Sequence, residues 1–440
     1  MFYPGDARAL EAEVDDLLGG AEELAPRLGF PKALIVPHAG YIYSGPTAAR
    51  AYDQLAPGRG IVRRVVLLGP VHRVAVHGLA LPAAGFFDTP LGRIAIDQEA
   101  VAALRGLPQV VVSGPAHAHE HSLEVQLPFL QKVLGEFALL PLAVGSASVA
   151  EVAAVIERLW GGPETVIVIS TDMSHYHPYE QARAIDGATV EKIRGFSTSI
   201  QHEEACGATP LNGLLFLSKD KNLEIRLLDA CNSGDTAGGK DRVVGYSSFA
   251  LEEEGTAPAL DEAGKTLLAL ARDAIESRLL DRNSNPVSAA WLGQAGATFV
   301  TLMKDGALRG CIGSLQPARA LGADVADNAC GAAFRDPRFP AMSKEEWASC
   351  RVEVSLLGRP KPLRFADEPD LLAQIRPGED GLILEADGKR ATFLPQVWEG
   401  IAEKKVFLQE LLKKAGLPPD TRLGRCKAWR YRVAKWKEHD

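Results

Sequence analysis

Apolar residues in the first 250 positions fall into short unbroken runs separated by longer amphipathic stretches. The runs at 33–36, 65–68, 110–112, 137–144 and 165–169 are continuous rather than alternating, the pattern of strands covered on both faces. Residues 7–18, 46–55, 151–160, 180–195 and 207–218 read instead as helices, the first with Leu10, Val14, Leu17 and Leu18 as its stripe. The stretch 121–134 reads as a helix kinked at, or beginning near, Pro128. Residues 77–96 suggest a hairpin or loop excursion, and 224–228 and 243–251 late strands. Strands alternating with helices predict a mainly parallel, layered α/β domain.

The pattern breaks at Glu252-Glu253-Glu254-Gly255-Thr256-Ala257-Pro258. A chain of 440 residues is too long for one ordinary core, so the division predicted is a domain at 1–252, a linker at 253–262 and a domain at 263–440. The second half opens on a helix with Leu267, Leu270, Ala271, Ala274, Ile275 and Leu279 on one stripe. Strands at 297–303 and 308–313 follow, joined by a Lys304-Asp305-Gly306 turn, then strands at 352–357 and 381–385 and helices at 320–334 and 401–415. This is α+β order. The tail at 425–437 interleaves bases with aromatics. That alternation suits a stacking platform for nucleic acid, or an edge strand with one packed face; the edge strand is the reading adopted.

Composition narrows the function. A net charge of −8 argues against a general nucleic-acid binder. Six cysteines without short regular spacing do not form a disulfide framework and suit a reducing cytoplasm. The N-terminus lacks the segments of a signal peptide, and no run approaches a membrane span.

Nine of the ten histidines lie between His38 and His202, so imidazole chemistry belongs to the first half. His38 and His72 each follow an apolar run and a proline, which places them at one sheet edge, where open α/β sheets bind ligands. Two histidines and a carboxylate make a facial metal site with open positions. From the residues alone, the third ligand is open between Asp172, His175, His177 and Asp235. Asp235 lies in a loop, where it is a ligand or an Asx-turn cap. Cys206 precedes a helix, and a thiol near a helix N-terminus can become reactive. In His117-Ala118-His119-Glu120-His121, the first two histidines read as solvent-facing.

Five stretches together resemble the Memo family: residues 37–45, Gly69-Pro70-Val71-His72, Glu120-His121-Ser122-Leu123-Glu124, residues 170–175, and Glu204-Ala205-Cys206-Gly207. The resemblance covers residues 1 to about 252. It implies a fold similar to class III extradiol dioxygenases, which use non-haem Fe(II), with His38 and His72 as ligands. Asp172, His175 and Cys206 would line the same pocket, and His121 would serve as base or substrate-orienting group. The family's animal member has a cysteine as third ligand, and that position falls on Asp235 here, with Cys231 four residues early. An aspartate favours Fe(II), while copper or zinc stays open.

Arg309-Gly310-Cys311-Ile312-Gly313, residues 328–340 and Glu353-Val354-Ser355 resemble the AMMECR family over roughly 263–436. Arg309, Cys311 and Arg335 are its surface-pocket candidates, the competing reading being a packed Cys311 and arginines paired with acids such as Asp336. Proteins similar to the two halves occur beside a radical-SAM protein in AmmeMemoRadiSam systems, which implies that protein as a partner. The expected function is an iron-dependent oxidoreductase of unknown substrate. Its alternatives are a metal-dependent binding module and a hydrolase or transferase using Cys206.

Overall fold

The computed structural model describes residues 2–21, 26–253, 260–285, 287, 289–418, 421, 423 and 426–438. Two compact units emerge, one of Met1–Glu22 and Gly29–Ala257, the other of Glu23–Leu28 and Pro258–Asp440. Most of the expected linker, 254–259, falls outside the described residues.

One sheet of nine strands organises the first unit: β1 (Ala33–Val36), β2 (Arg64–Pro70), β3 (Leu79–Leu81), β4 (Val110–Val112), β5 (Ala138–Val144), β6 (Thr165–Ser170), β7 (His175–His177), β8 (Glu224–Asn232) and β9 (Val243–Glu252). Their order is β8-β9-β1-β6-β2-β5-β3-β4, with β7 paired to β9. The central four, β1, β6, β2 and β5, run parallel. Their C-terminal ends therefore open on one edge.

Both faces of these strands are covered, which explains their unbroken apolar runs. Ile35, Leu68 and Ile169 share a core with Val152, Val155, Leu211 and Leu214. Leu34, Leu67 and Val168 face the other way, against Leu10, Val14, Ala48, Tyr52, Phe129 and Leu130. The helices supplying these residues are α1 (Ala7–Gly20), α2 (Tyr41–Asp53), α4 (Leu127–Leu134), α5 (Val149–Arg158) and α7 (Ala208–Asp220); the short α3 (His121–Glu124) precedes α4, and α6 (Tyr179–Arg194) precedes α7.

Two helices differ from the sequence reading. Helix α2 starts at Tyr41, not 46, with Pro46 inside it. The stretch 121–134 is two helices, and Pro128 opens the second, where its missing N–H costs no helical bond. The expected excursion is a hairpin of Phe86–Thr89 on Gly92–Ala95.

In the second unit, α8 (Leu260–Leu280) and α9 (Leu321–Phe334) cover one face of a four-stranded sheet. Its strands are β10 (Thr298–Lys304), β11 (Ala307–Gly313), β12 (Cys350–Leu357) and, last in the chain, Val433–Lys437, ordered β11-β10-β12 and then that last strand. A second four-stranded sheet carries Leu382, Leu384 and Ala391 against Phe407, Leu408 and Leu411 of α10 (Lys404–Lys414). The tail supplies a strand to each sheet. Val433–Lys437 is an edge strand, with Trp436 against Gly264 and Lys435 paired to Glu353, so its alternation is one packed and one wet face. No helix among the described residues is long and apolar enough to cross a membrane.

Candidate metal centre

Three parallel strands deliver polar side chains at the same offset. His38, His72 and Asp172 are each the second residue beyond the ends of β1, β2 and β6. His121, the first residue of α3, completes the group. One ring nitrogen from each of His38, His72 and His121 lies within 4.8 Å of the others. Ring centroids are 5.3 Å apart for His38 and His72, 5.5 Å for His38 and His121, and 4.8 Å for His72 and His121.

Each imidazole is held from behind. His38 Nδ1 is 2.9 Å from Ser170 Oγ, and its backbone N–H donates to Asp172 Oδ1 at 2.7 Å. Glu120 serves both other rings. Its Oε2 accepts the His72 backbone N–H at 2.6 Å, and its Oε1 lies 2.9 Å from His72 Nδ1 and 3.4 Å from His121 Nδ1. Phe2 stacks on the His121 ring at 4.4 Å. Burial raises the Glu120 carboxyl, but the His72 and Ser122 hydrogen bonds outweigh it and hold the group down to about 2. Burial lowers His38 to about 4 against the pull of Asp172. His121 is lowered too, by burial and then by His72. An imidazole whose one nitrogen donates to an acceptor and whose other nitrogen carries a free lone pair is the form in which histidine ligates. The residues therefore fit a metal ion, of the kind that imidazole suits: zinc, copper, iron or nickel.

Asp172 and Cys206 form the adjoining wall. Asp172 Oδ2 is 3.9 Å and Cys206 Sγ 3.4 Å from His38 Nε2. Gly207 lets the chain approach β6, since a Cβ there would meet Thr171 Cβ at 2.7 Å and Ser170 O at 2.8 Å. A cleft of about 450 Å³ reaches this wall past Val71, Val76, His77 and His202, with His72 and Cys206 in its lining. Burial first, and then the Asp172 charge, push the Cys206 thiol up to about 12. The helix start that follows does not make it a ready thiolate, although Cys206 does border the pocket as the resemblance implies.

Several expected residues lie elsewhere. Asp235, expected as third ligand, is absent from the metal-binding group among the described residues. Its Oδ1 accepts from the Tyr179 hydroxyl and its Oδ2 from Asn232 N–H, as the third-position acid of a capping box on a short 3-10 turn whose cap is Asn232. It therefore serves its own turn, as the capping alternative had it, with Asn232 as the cap itself. Cys231 contacts Thr47 Oγ1 at 3.1 Å. His175 sits in β7 with its ring against Tyr176, beside Asp186. His117 is not solvent-facing but donates to Ala80 O. In the second unit, Arg309 is buried in a two-pronged pair with Glu346, Arg335 pairs with Asp327, and Cys311 accepts from Thr301 Oγ1. Both arginines are thus engaged by acids, as the competing reading had it; Asp336 instead takes Arg338 and the Cys311 N–H.

Sequence reasoning missed Glu120, Ser170 and Gln126 as anchors. Only the position of Glu120, directly before His121, was a signal.

Among known families, the Memo-like protein model matches residues 1–250 and the AMMECR1 model residues 268–436. A MEMO1 family protein of Sulfurisphaera tokodaii is 37% identical over 229 residues, covering 49% of this chain and 80% of its own length. One from Ignicoccus hospitalis is 36% identical over 271 residues, covering 56% and 94%. The crystal structure of an uncharacterized protein from Pyrococcus horikoshii is 33% identical, covers 40% of this chain and 92% of its own, and has a TM-score of 0.37.

Proposed function

The chain belongs to the Memo-like family through residues 1–250 and carries an AMMECR1 domain at 268–436, and from that premise we propose that its first unit is a metal-dependent oxidoreductase acting on a small organic molecule. The convergence of His38, His72 and His121, with Glu120 and Ser170 behind them, carries this reading. The three imidazoles hold one non-haem Fe(II), in keeping with the dioxygenase-like character that the Memo resemblance implies. When bound, iron supplies electron-transfer chemistry that side chains lack.

The chain's own residues bind and orient. Val71, Val76 and Val144 give the cleft an apolar wall that seats a carbon skeleton beside His72 and Cys206. Asp172, whose Oδ2 borders the histidines, accepts a hydrogen bond from a substrate hydroxyl or takes its proton. With Asp235 engaged elsewhere, no carboxylate joins the three imidazoles among the described residues. That observation favours one second reading, a zinc-dependent hydrolase, because three histidines are also a catalytic zinc set. The setting proposed is the cytoplasm, in keeping with six free cysteines. The partner proposed is the radical-SAM protein of the same system.

Anaerobic reconstitution with Fe(II), followed by metal analysis, is expected to give about one iron per chain, lost in His38→Ala and in His72→Ala. Retention of iron by both variants refutes the centre. Oxygen uptake by the loaded protein, with metabolites supplied by the radical-SAM partner, separates the two chemistries: hydrolysis without oxygen consumption selects zinc.

A further inference from the structure

Behind His38 lies a set of buried hydrogen bonds whose protons have one consistent placement. Ser170 Oγ is 2.5 Å from the carbonyl oxygen of Ser122. A carbonyl only accepts, so the single hydroxyl proton of Ser170 lies on that line. Gln126 Nε2 donates to Pro37 O at 2.9 Å and to Ser170 Oγ at 2.8 Å, using both its protons. Pro37 O, which can only accept, fixes which way the amide points, and leaves Gln126 Oε1 to accept from the Tyr52 hydroxyl at 2.8 Å. Ser170 Oγ has no proton left for His38 Nδ1, 2.9 Å away. The ring must donate.

Tyr52, Gln126, Ser122, Ser170 and His38 are all almost wholly buried, so water does not compete for these sites. We infer that Ser170, its hydroxyl committed to Ser122 and its second lone pair filled by Gln126, is a positioning residue that fixes His38 as the Nδ1–H tautomer with the Nε2 lone pair facing His72 and His121. The tautomer is a property of the metal-free chain; only its use in ligation rests on the function proposed above. His72 and His121 are held by the Glu120 carboxylate, whereas His38 is held by neutral groups alone on its Nδ1 side. Its tautomer is set by directed hydrogen bonds instead of by charge.

The test is long-range 1H–15N NMR on the full chain, labelled at histidine nitrogen and stripped of metal with chelator, with His38→Ala identifying the His38 signals. The wild type is expected to show Nδ1 protonated and Nε2 bare. Ser170→Ala is expected to shift His38 to Nε2–H, while Ser170→Thr, which keeps the hydroxyl, retains Nδ1–H. In cobalt(II) titrations Ser170→Ala is expected to bind about 10–100-fold more weakly, the usual cost of removing a partner that orients a ligand. A wild-type His38 carrying its proton on Nε2 overturns the inference, whether or not either variant folds. So does an unchanged tautomer in Ser170→Ala; a switched tautomer with undiminished cobalt affinity upholds the tautomer and refutes its use in ligation. A wild type that takes up no cobalt yet shows Nδ1–H refutes the metal centre and upholds the tautomer.

Discussion

At the scale of single residues, Glu120 has the widest reach, since one carboxylate orients two candidate ligands and the backbone between β2 and its loop. Glu120→Ala should therefore weaken metal binding by about 10–100-fold, measured by competition with a chromogenic chelator, and more than a change to Asp172, which touches one ring. Unaltered affinity would remove Glu120 from the design. In the second unit the Glu346 pair with Arg309 makes a pH prediction. Arg309 pulls the Glu346 carboxyl down to about 2 against the opposing effect of burial. A depressed folded value means the contribution is complete above the unfolded value near 4.5 and is lost as pH falls towards 2. Glu346→Gln should lower stability at pH 7 by ~1 kcal/mol, because the Arg309 guanidinium loses its charged partner while keeping an amide oxygen to donate to. The deficit should shrink as the medium is acidified through that window, as read by denaturant melts at each pH. His38 and His72 were legible as residues because strand ends mark themselves by proline. The true neighbour of Asp235 was not, since whether a loop acid turns inward or caps its own turn depends on Tyr179, over fifty residues away.

Elements were easier to read than side-chain partners. The parallel strands announced themselves because burial on both faces demands unbroken apolar runs. The short β7 gave no such signal, and β8 runs on through Cys231 to Asn232 because Tyr246 pairs across from that cysteine, a contact between strands that no local pattern encodes. The loop carrying His72 shows what the glycines contribute. A Cβ on Gly145 would meet Val76 O at 2.0 Å, so Gly145→Ala must push the 71–78 segment outward. It should cost about 1–3 kcal/mol and loosen metal binding through His72, seen as a lower melting temperature together with a weaker cobalt titration. A variant that melts lower but binds cobalt as before would show that the loop relaxes without moving the ring.

Across the whole molecule, the first unit holds its two cores and the second unit its own. Calorimetry of the intact chain should then show two transitions. Saturating metal should raise only one, by about 4 kcal/mol at a thousandfold excess over Kd, while Glu346→Gln lowers only the other. A single transition moved by both would contradict independent units. The span of the contacts behind His38 also has a consequence in time. Asp172 and Ser170 lie 134 and 132 residues further along the chain, so on the ribosome His38 waits, at 5–20 residues per second, on the order of 10 s for its anchors to be made. An ion that meets the nascent chain before then finds a loose imidazole on an unfinished sheet. For the metal centre proposed above, discrimination between ions would begin only after β6 has been synthesised, and the ion acquired would be set by what the surrounding fluid offers to a nearly finished domain.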